Sequence, residues 1–223
     1  AVDLLNNPEI VWHSVNGFDF GACIGIMKKG IEPSLGFDSR QYVSLTLSPA
    51  DKSIAEHRTF DYYVRHSISF PVEAPQTGTI YGDEVQHSGT IPKQVIKGVM
   101  MPEYLAEKAL SQLPRLKPPT KSKITSFLTR QAIGLEYLKP GSGSNVTDHL
   151  LELRKRYERF YNSYEARKEV ADEINSFVLG QYETTFGQIL GNAQPTLKEA
   201  VGYLATQHGM DLMVLPSDFV VPS

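Results

Sequence analysis

The chain has 223 residues, 41% hydrophobic and 21% charged, with a formal net charge of −3. That balance excludes a disordered chain, and the length is enough to bury a real core in one large domain or in a small domain with an appendage. No apolar run reaches the roughly 18 residues of a membrane-crossing helix, and the net charge gives no global footprint for nucleic acid, so neither partner is expected from composition.

Taken in chain order, the first half reads as strands. The run EIVWHS ends in Trp12-His13-Ser14 and predicts a strand. GACIGIMKKG then carries Ala22, Cys23, Ile26 and Met27 on one side and closes with Lys28, Lys29 and Gly30, the charge and the glycine of a helix C-terminus. QYVSLTLS alternates Val43, Leu45 and Leu47 with Ser44, Thr46 and Ser48, the face pattern of a half-buried strand. SPADKSIAEHRTFDYYVR opens with Ser48 as a candidate N-cap and Pro49 at the first helical position, and its end gathers Phe60, Tyr62 and Tyr63. Three further strands are expected in HSISFPVE, TIYGDEVQH and QVIKGVMM.

Beyond Pro102 the periodicity becomes helical. EYLAEKALSQL and KITSFLTRQAIGLEYL flank the breaker PRLKPPTKS, and the loop KPGSGSN follows, with a hinge expected near Pro140 to Ser144. One long helix is then predicted over Asp148–Leu179, from the helical spacing of Leu150, Leu153, Tyr157, Phe160, Tyr164, Val170, Ile174 and Val178. Two shorter helices, near Tyr182–Leu190 and Thr196–Thr206, precede the closing MDLMVLP. The fold class expected is α+β, with a β-rich lobe over 1–139 and an all-helical lobe over 140–223.

Several chemistries lack their signatures. There is no CxxC, HExxH, GxGxxG or GxxxxGK pattern, and His57, His66 and His87 have no ligand spacing, so no metal is expected. Cys23 is the only cysteine; no internal disulfide is possible, a reducing compartment is the expectation, and its place on an apolar helix face marks it as packing. LRKRYERFYNSYEARK interleaves cations and rings as nucleic-acid surfaces do, but its Glu158, Glu165 and Glu169 fit a solvated amphipathic helix. What stands out is YGDEVQHSGTIPKQVIKGV, where Asp83 and Glu84 sit at the mouth of two short strands.

The opening WHSVNGFDFGACIGIMKKGIEP resembles the first strand and helix of the ADP-ribosyltransferase-like fold. YVSLTLSP looks like that fold's second strand, and DEVQHSGTIPKQVIKGV is similar to the late strand of DNA-modifying ADP-ribosyltransferase toxins and RNA 2′-phosphotransferases. The resemblance covers about residues 10–101. It implies NAD as cofactor and transfer of ADP-ribose, with Glu84 as the catalytic acid near the ribose and His13 binding the ribose or diphosphate side. Ser14 would assist, Tyr42 and Ser44 would line the pocket, and Gln86 would orient the acceptor. Tyr62 and Tyr63 are candidate platforms for adenine stacking. The arginine-specific branch carries a second glutamate two residues before the catalytic one; here that position is Gly82, which argues against arginine as acceptor. A second likeness is to adenine-nucleotide-binding modules of Legionella-type bacterial effectors, which implies a non-catalytic ADP or AMP site, a host-cytosol location and a virulence role. In either case the helical lobe is the expected place for a protein partner or acceptor.

Overall fold

The computed structural model describes residues 2–5, 7–16, 19–33, 42–46, 67–73, 79–81, 84–113 and 118–216. Its elements in chain order are α1 (Val2–Leu5), β1 (Ile10–Asn16), α2 (Phe20–Lys29), β2 (Gly30–Ile31), β3 (Tyr42–Thr46), β4 (Ser67–Glu73), β5 (Thr79–Tyr81), β6 (Glu84–Ser88), β7 (Ile91–Pro92) and β8 (Val99–Pro102). There follow α3 (Glu103–Ala106), α4 (Lys121–Leu138), α5 (Gly143–Arg159), α6 (Tyr164–Leu190), α7 (Leu197–Gln207) and β9 (Leu212–Leu215). The class is mixed α and β. The chain forms two compact units, one of Ala1–Gly17, Ile26–Lys108 and Leu197–Ser223, the other of Phe18–Gly25 and Ala109–Thr196. The division drawn from composition at 139/140 falls inside the second unit. The helix expected in SPADKSIAEHRTFDYYVR, with Tyr62 and Tyr63, lies outside the described residues.

The first unit is organised by a seven-stranded sheet in the order β5-β6-β3-β1-β4-β8-β9. Neighbours are antiparallel except β8 and β9, which run parallel from Val99↔Leu212 to Pro102↔Leu215. β1 and β4 pair along the whole of β1, from Ile10↔Glu73 to Asn16↔Ser67. β4 is buried from Ser67 to Val72, as an interior strand covered on both faces must be. Gly98, with φ of 146°, lets the chain approach the turn before β9: an added Cβ would stand 2.8 Å from the Asp211 carbonyl, which already accepts from the Val99 N–H at 2.9 Å.

Several expected elements differ from those observed. TIYGDEVQH makes two antiparallel strands, with Tyr81 opposite Glu84. In QVIKGVMM only Val99 onward is strand, after a single 3-10 turn at Lys93–Val95. EYLAEKALSQL gives one helical turn and a 3-10 turn at Leu110–Gln112. The closing MDLMVLP is a sheet strand, so the chain returns to the β-rich unit after its helices.

The second unit packs α4, α5 and α6 with residues 18–25. The single helix expected over Asp148–Leu179 is two helices broken at 160–163. Ser163 takes an extended conformation and its side chain accepts from the Ala166 N–H, so it caps a new helix at a point where the apolar spacing alone runs on. Leu150, Leu153 and Tyr157 are buried from one helix, and Val170, Ile174 and Val178 from the next. α6 runs 27 residues and ends at Gly191, left-handed at φ 65°.

A buried polar network ties residues 19–22 to α4. Asp19, 7% exposed, accepts from the Ala22 N–H at 2.9 Å, from Gln131 Nε2 at 2.6 Å and from Arg130 Nη2 at 2.8 Å. Gln131, fully buried, accepts in turn from the Gly21 N–H. Close approach of the two backbones requires glycines: a Cβ at Gly21 would strike the Arg130 carbonyl, and one at Gly134 would strike the Tyr182 hydroxyl. Phe20 packs on Tyr182 and Phe186 at centroid separations of 4.9 and 5.7 Å.

Candidate functional site

Directly opposed residues in a sheet project to the same face, so the pairing fixes which side chains share one. Gln86 lies opposite Ser44, Glu84 opposite Thr46, Thr46 opposite Trp12, Ser69 opposite Ser14, and Met100 opposite Ser69. These residues therefore occupy one face of β6-β3-β1-β4-β8. Toward β8 and β9 the face is apolar, where Ile10, Trp12, Met100 and Leu215 pack together under Leu4, Leu5 and Met213. Toward β6 it is polar and open: Ser44 is exposed, and Glu84 and Gln86 are half-buried. Val43, Leu45 and Val85, the alternating residues of the same strands, are buried on the other side.

The carboxylate of Glu84 is held on that polar end by two neutral groups. Ser44 Oγ donates to one oxygen at 2.5 Å, and Gln86 Nε2 approaches the other at 3.3 Å. No cation pairs with Glu84 among the described residues. The carboxylate is oriented without being neutralised, which leaves its charge available to a centre that develops positive charge beside it. Tyr42 lies on the same face two residues from Ser44 and is half-buried.

His13 and Ser14 are placed differently. Ser14 Oγ meets Ser69 Oγ at 2.9 Å, on the face of Glu84. His13 lies opposite Phe70 and so projects from the other side of β1. It still reaches the site residues indirectly, because its Nδ1 lies 3.1 Å from the Ser44 carbonyl. A carbonyl only accepts, so Nδ1 carries the proton and Nε2 a lone pair. Burial pushes the imidazole below its ordinary value of 6.5, and the bond to Ser44 acts in the opposite, lesser sense. Of the residues expected at the site, the structure brings Ser44, Glu84 and Gln86 into direct contact, sets Tyr42 and Ser14 on the same face, and links His13 to them through backbone. Tyr62 and Tyr63 lie outside the described residues, as does Asp83.

Ser69 belongs to the polar face without a distinctive sequence signature. Its only signal is the alternation of Ser67 and Ser69 with Ile68 and Phe70 in a run that reads as an ordinary strand; the pairing with Ser14 makes it part of the polar face. Cys23 is buried, and desolvation, then the nearby Asp19 charge, push its thiol well above the ordinary value, so it supplies no thiolate. Among the described residues no group of three His, Cys, Asp or Glu side chains could hold a metal ion, and no helix is long and apolar enough to cross a membrane. No family model matches the chain, and no curated protein or solved structure is detectably similar to it.

Proposed function

We propose that the sheet unit is an ADP-ribosyltransferase-like lobe that binds NAD on the polar face of β6-β3-β1 and transfers ADP-ribose, with Glu84 as its catalytic carboxylate. One observation carries this reading: Glu84 is oriented by Ser44 and Gln86, with no cation paired to it among the described residues. Breaking the bond between nicotinamide and ribose builds an oxocarbenium-like centre, and an unquenched carboxylate stabilises that charge as the nucleophile approaches from the other side. Gln86 has a free amide oxygen with which to accept from a ribose hydroxyl or an acceptor group. Ser14 and Tyr42 offer hydroxyls to the nucleotide on the same face. His13 acts through Ser44: by holding that residue's carbonyl it fixes β3, and hence the hydroxyl that aims the carboxylate.

Calorimetric titration with NAD, ADP and AMP, followed by mass-spectrometric detection of released nicotinamide, tests the reading. Glu84→Gln keeps the shape and removes the charge, so nicotinamide release should fall by about 10²–10³-fold while the affinity for NAD changes little. Unchanged release in that variant removes Glu84 from the mechanism. Binding of ADP or AMP with no release by the unmodified chain, candidate acceptors being present, replaces the enzyme with a nucleotide-binding module of the effector type.

A further inference from the structure

In the sheet unit the end of α2, the turn after β7 and the end of α7 bring cations together. The backbone fixes two of them. β2 pairs with β7 through Gly30↔Pro92 and Ile31↔Ile91, so Lys29 and Lys93 each stand one position beyond the same end of this short ladder. The approach there is close: a Cβ at Gly30, whose φ is 101°, would strike the Ile91 carbonyl oxygen and stand 2.9 Å from the Lys93 nitrogen. Lys28 belongs to the same last turn of α2 as Lys29. His208 follows α7, where its N–H donates to the Leu204 and Ala205 carbonyls, and the charges of Lys93 and Lys28 reach its ring.

Like charges set side by side repel, and a carboxylate between them would remove the cost. Lys29 and Lys93 have no carboxylate partner among the described residues. Glu32 and Asp211, three positions along the chain from Lys29 and from His208, pair with no cation there either. Lys28 and Lys29 also meet the negative end of the α2 dipole, which is reason enough for cations at those two positions. Lys93, in the turn after β7, has no such reason. Lys28 and Lys29 are exposed while Lys93 and His208 are half-buried, so the cluster is open to a dissolved ligand and partly shielded from water. Burial first, then Lys93 and Lys28, hold the His208 ring below its ordinary value of 6.5.

We propose that Lys28, Lys29, Lys93 and His208 form a binding site for the phosphoryl group of a small phosphorylated molecule. A phosphate monoester carries about two negative charges near neutral pH and three oxygens that accept hydrogen bonds. Three ammonium groups answer that charge as point cations, and the His208 ring supplies one more N–H. A carboxylate ligand, with a single charge, would leave most of the repulsion in place. Binding replaces that repulsion by attraction, so the ligand is held in part by relief of a cost that the β2–β7 pairing builds in. The site shares no residue with the face that carries Glu84 and does not depend on the chemistry proposed there.

NMR of the imidazole signals of the full chain tests it, with inorganic phosphate as the probe and sodium chloride and sodium acetate at equal ionic strength as controls. The chain has six histidines, so the His208 signal is assigned by its loss in His208→Gln. Phosphate should move that signal to saturation and raise its titration midpoint toward the ordinary 6.5, because a bound anion favours the charged ring; chloride and acetate should do neither. Lys93→Gln should weaken phosphate about tenfold, and in the absence of phosphate should itself raise the His208 midpoint by removing one of the repelling charges. Lys29→Gln, a change at an exposed position, provides a second variant should the first fail to fold, and should weaken phosphate about threefold. Equal responses to phosphate, acetate and chloride would reduce the effect to screening by salt and overturn the proposal. A His208 signal that phosphate leaves in place, or phosphate binding that both lysine variants leave intact, would overturn it as well.

Discussion

Asp19 and Glu84 are both held by hydrogen bonds, and they are held for opposite ends. Asp19 is buried in the helical unit and spends its acceptors on Arg130, Gln131 and the Ala22 N–H, so its charge is neutralised and its lone pairs are occupied. Glu84 stands on the open end of the sheet, oriented by a hydroxyl and a side-chain amide, with no cation beside it among the described residues. A buried carboxylate stripped of water has to be compensated, whereas one at a half-open face keeps its charge at smaller cost. The comparison teaches that a well-coordinated acid is a poor guide to function unless the partners are read: a guanidinium marks a fastener, neutral donors mark an acid left available.

The largest expected effect separates these two roles. Asp19→Ala leaves the Arg130 guanidinium facing an apolar gap and removes the cap of α2; discounted for Arg130's 35% exposure, the loss of stability should be about 2–4 kcal/mol in a denaturant titration. Glu84→Gln should cost less than about 1 kcal/mol in the same assay. Equal losses would break the distinction. Next in size, Gly21→Ala drives a methyl group into the Arg130 carbonyl, a backbone atom that cannot swing aside, and should cost about 1–3 kcal/mol by the same titration. Tyr182→Phe then sharpens the picture of the network around Gln131: its hydroxyl donates to the Gln131 carbonyl at 3.2 Å, and removing it should cost about 1 kcal/mol with the m-value unchanged.

The smallest effect concerns pH. Burial depresses His13 in the folded chain below its ordinary 6.5, so on acidification the unfolded chain takes up a proton before the folded one does. Stability should therefore fall as the pH drops through 6.5 and level off below the folded value. His208 is depressed as well, by burial first and then by Lys93 and Lys28, and contributes in the same direction. Melting curves of His13→Gln and His208→Gln between pH 5 and 7.5 should each show a shallower slope than the parent chain. An unaltered slope in His13→Gln would place its ring in water.

The elements that the sequence makes legible are those whose signal is local. β1, β3 and β4 follow from alternation of β-branched and polar residues, α2 from its basic C-terminal turn and Gly30, and α4 from its unbroken 3.6 periodicity. The break at Ser163 is a local signal overridden in the reading by a longer one, since Tyr157 and Val170 continue the apolar spacing across it. β9 was missed because LMVL is an apolar run without alternation, and its pairing with β8 is decided far away in the chain. For the site, nearness of Ser44 to Glu84 could be expected from two polar strand faces of one lobe, but the pairing of Ser14 with Ser69, and the side of β1 taken by His13, depend on register with β4, which no single strand encodes.

Asp19 finds Arg130 at a separation of 111 positions along the chain, and Gln131 at 112. On a ribosome adding about 5–20 residues per second, the partners of residues 19–22 emerge roughly 5–20 s after that segment does. For that interval α2, only 10 residues long, has too few hydrogen bonds to hold itself as a helix and keeps Phe20, Cys23 and Ile24 uncovered. β8 waits in the same way for β9. During synthesis the nascent chain thus carries apolar segments that wait for later ones, α2 for residues 130–186 and β8 for residues 212–215, and that is the window in which a chaperone would hold it.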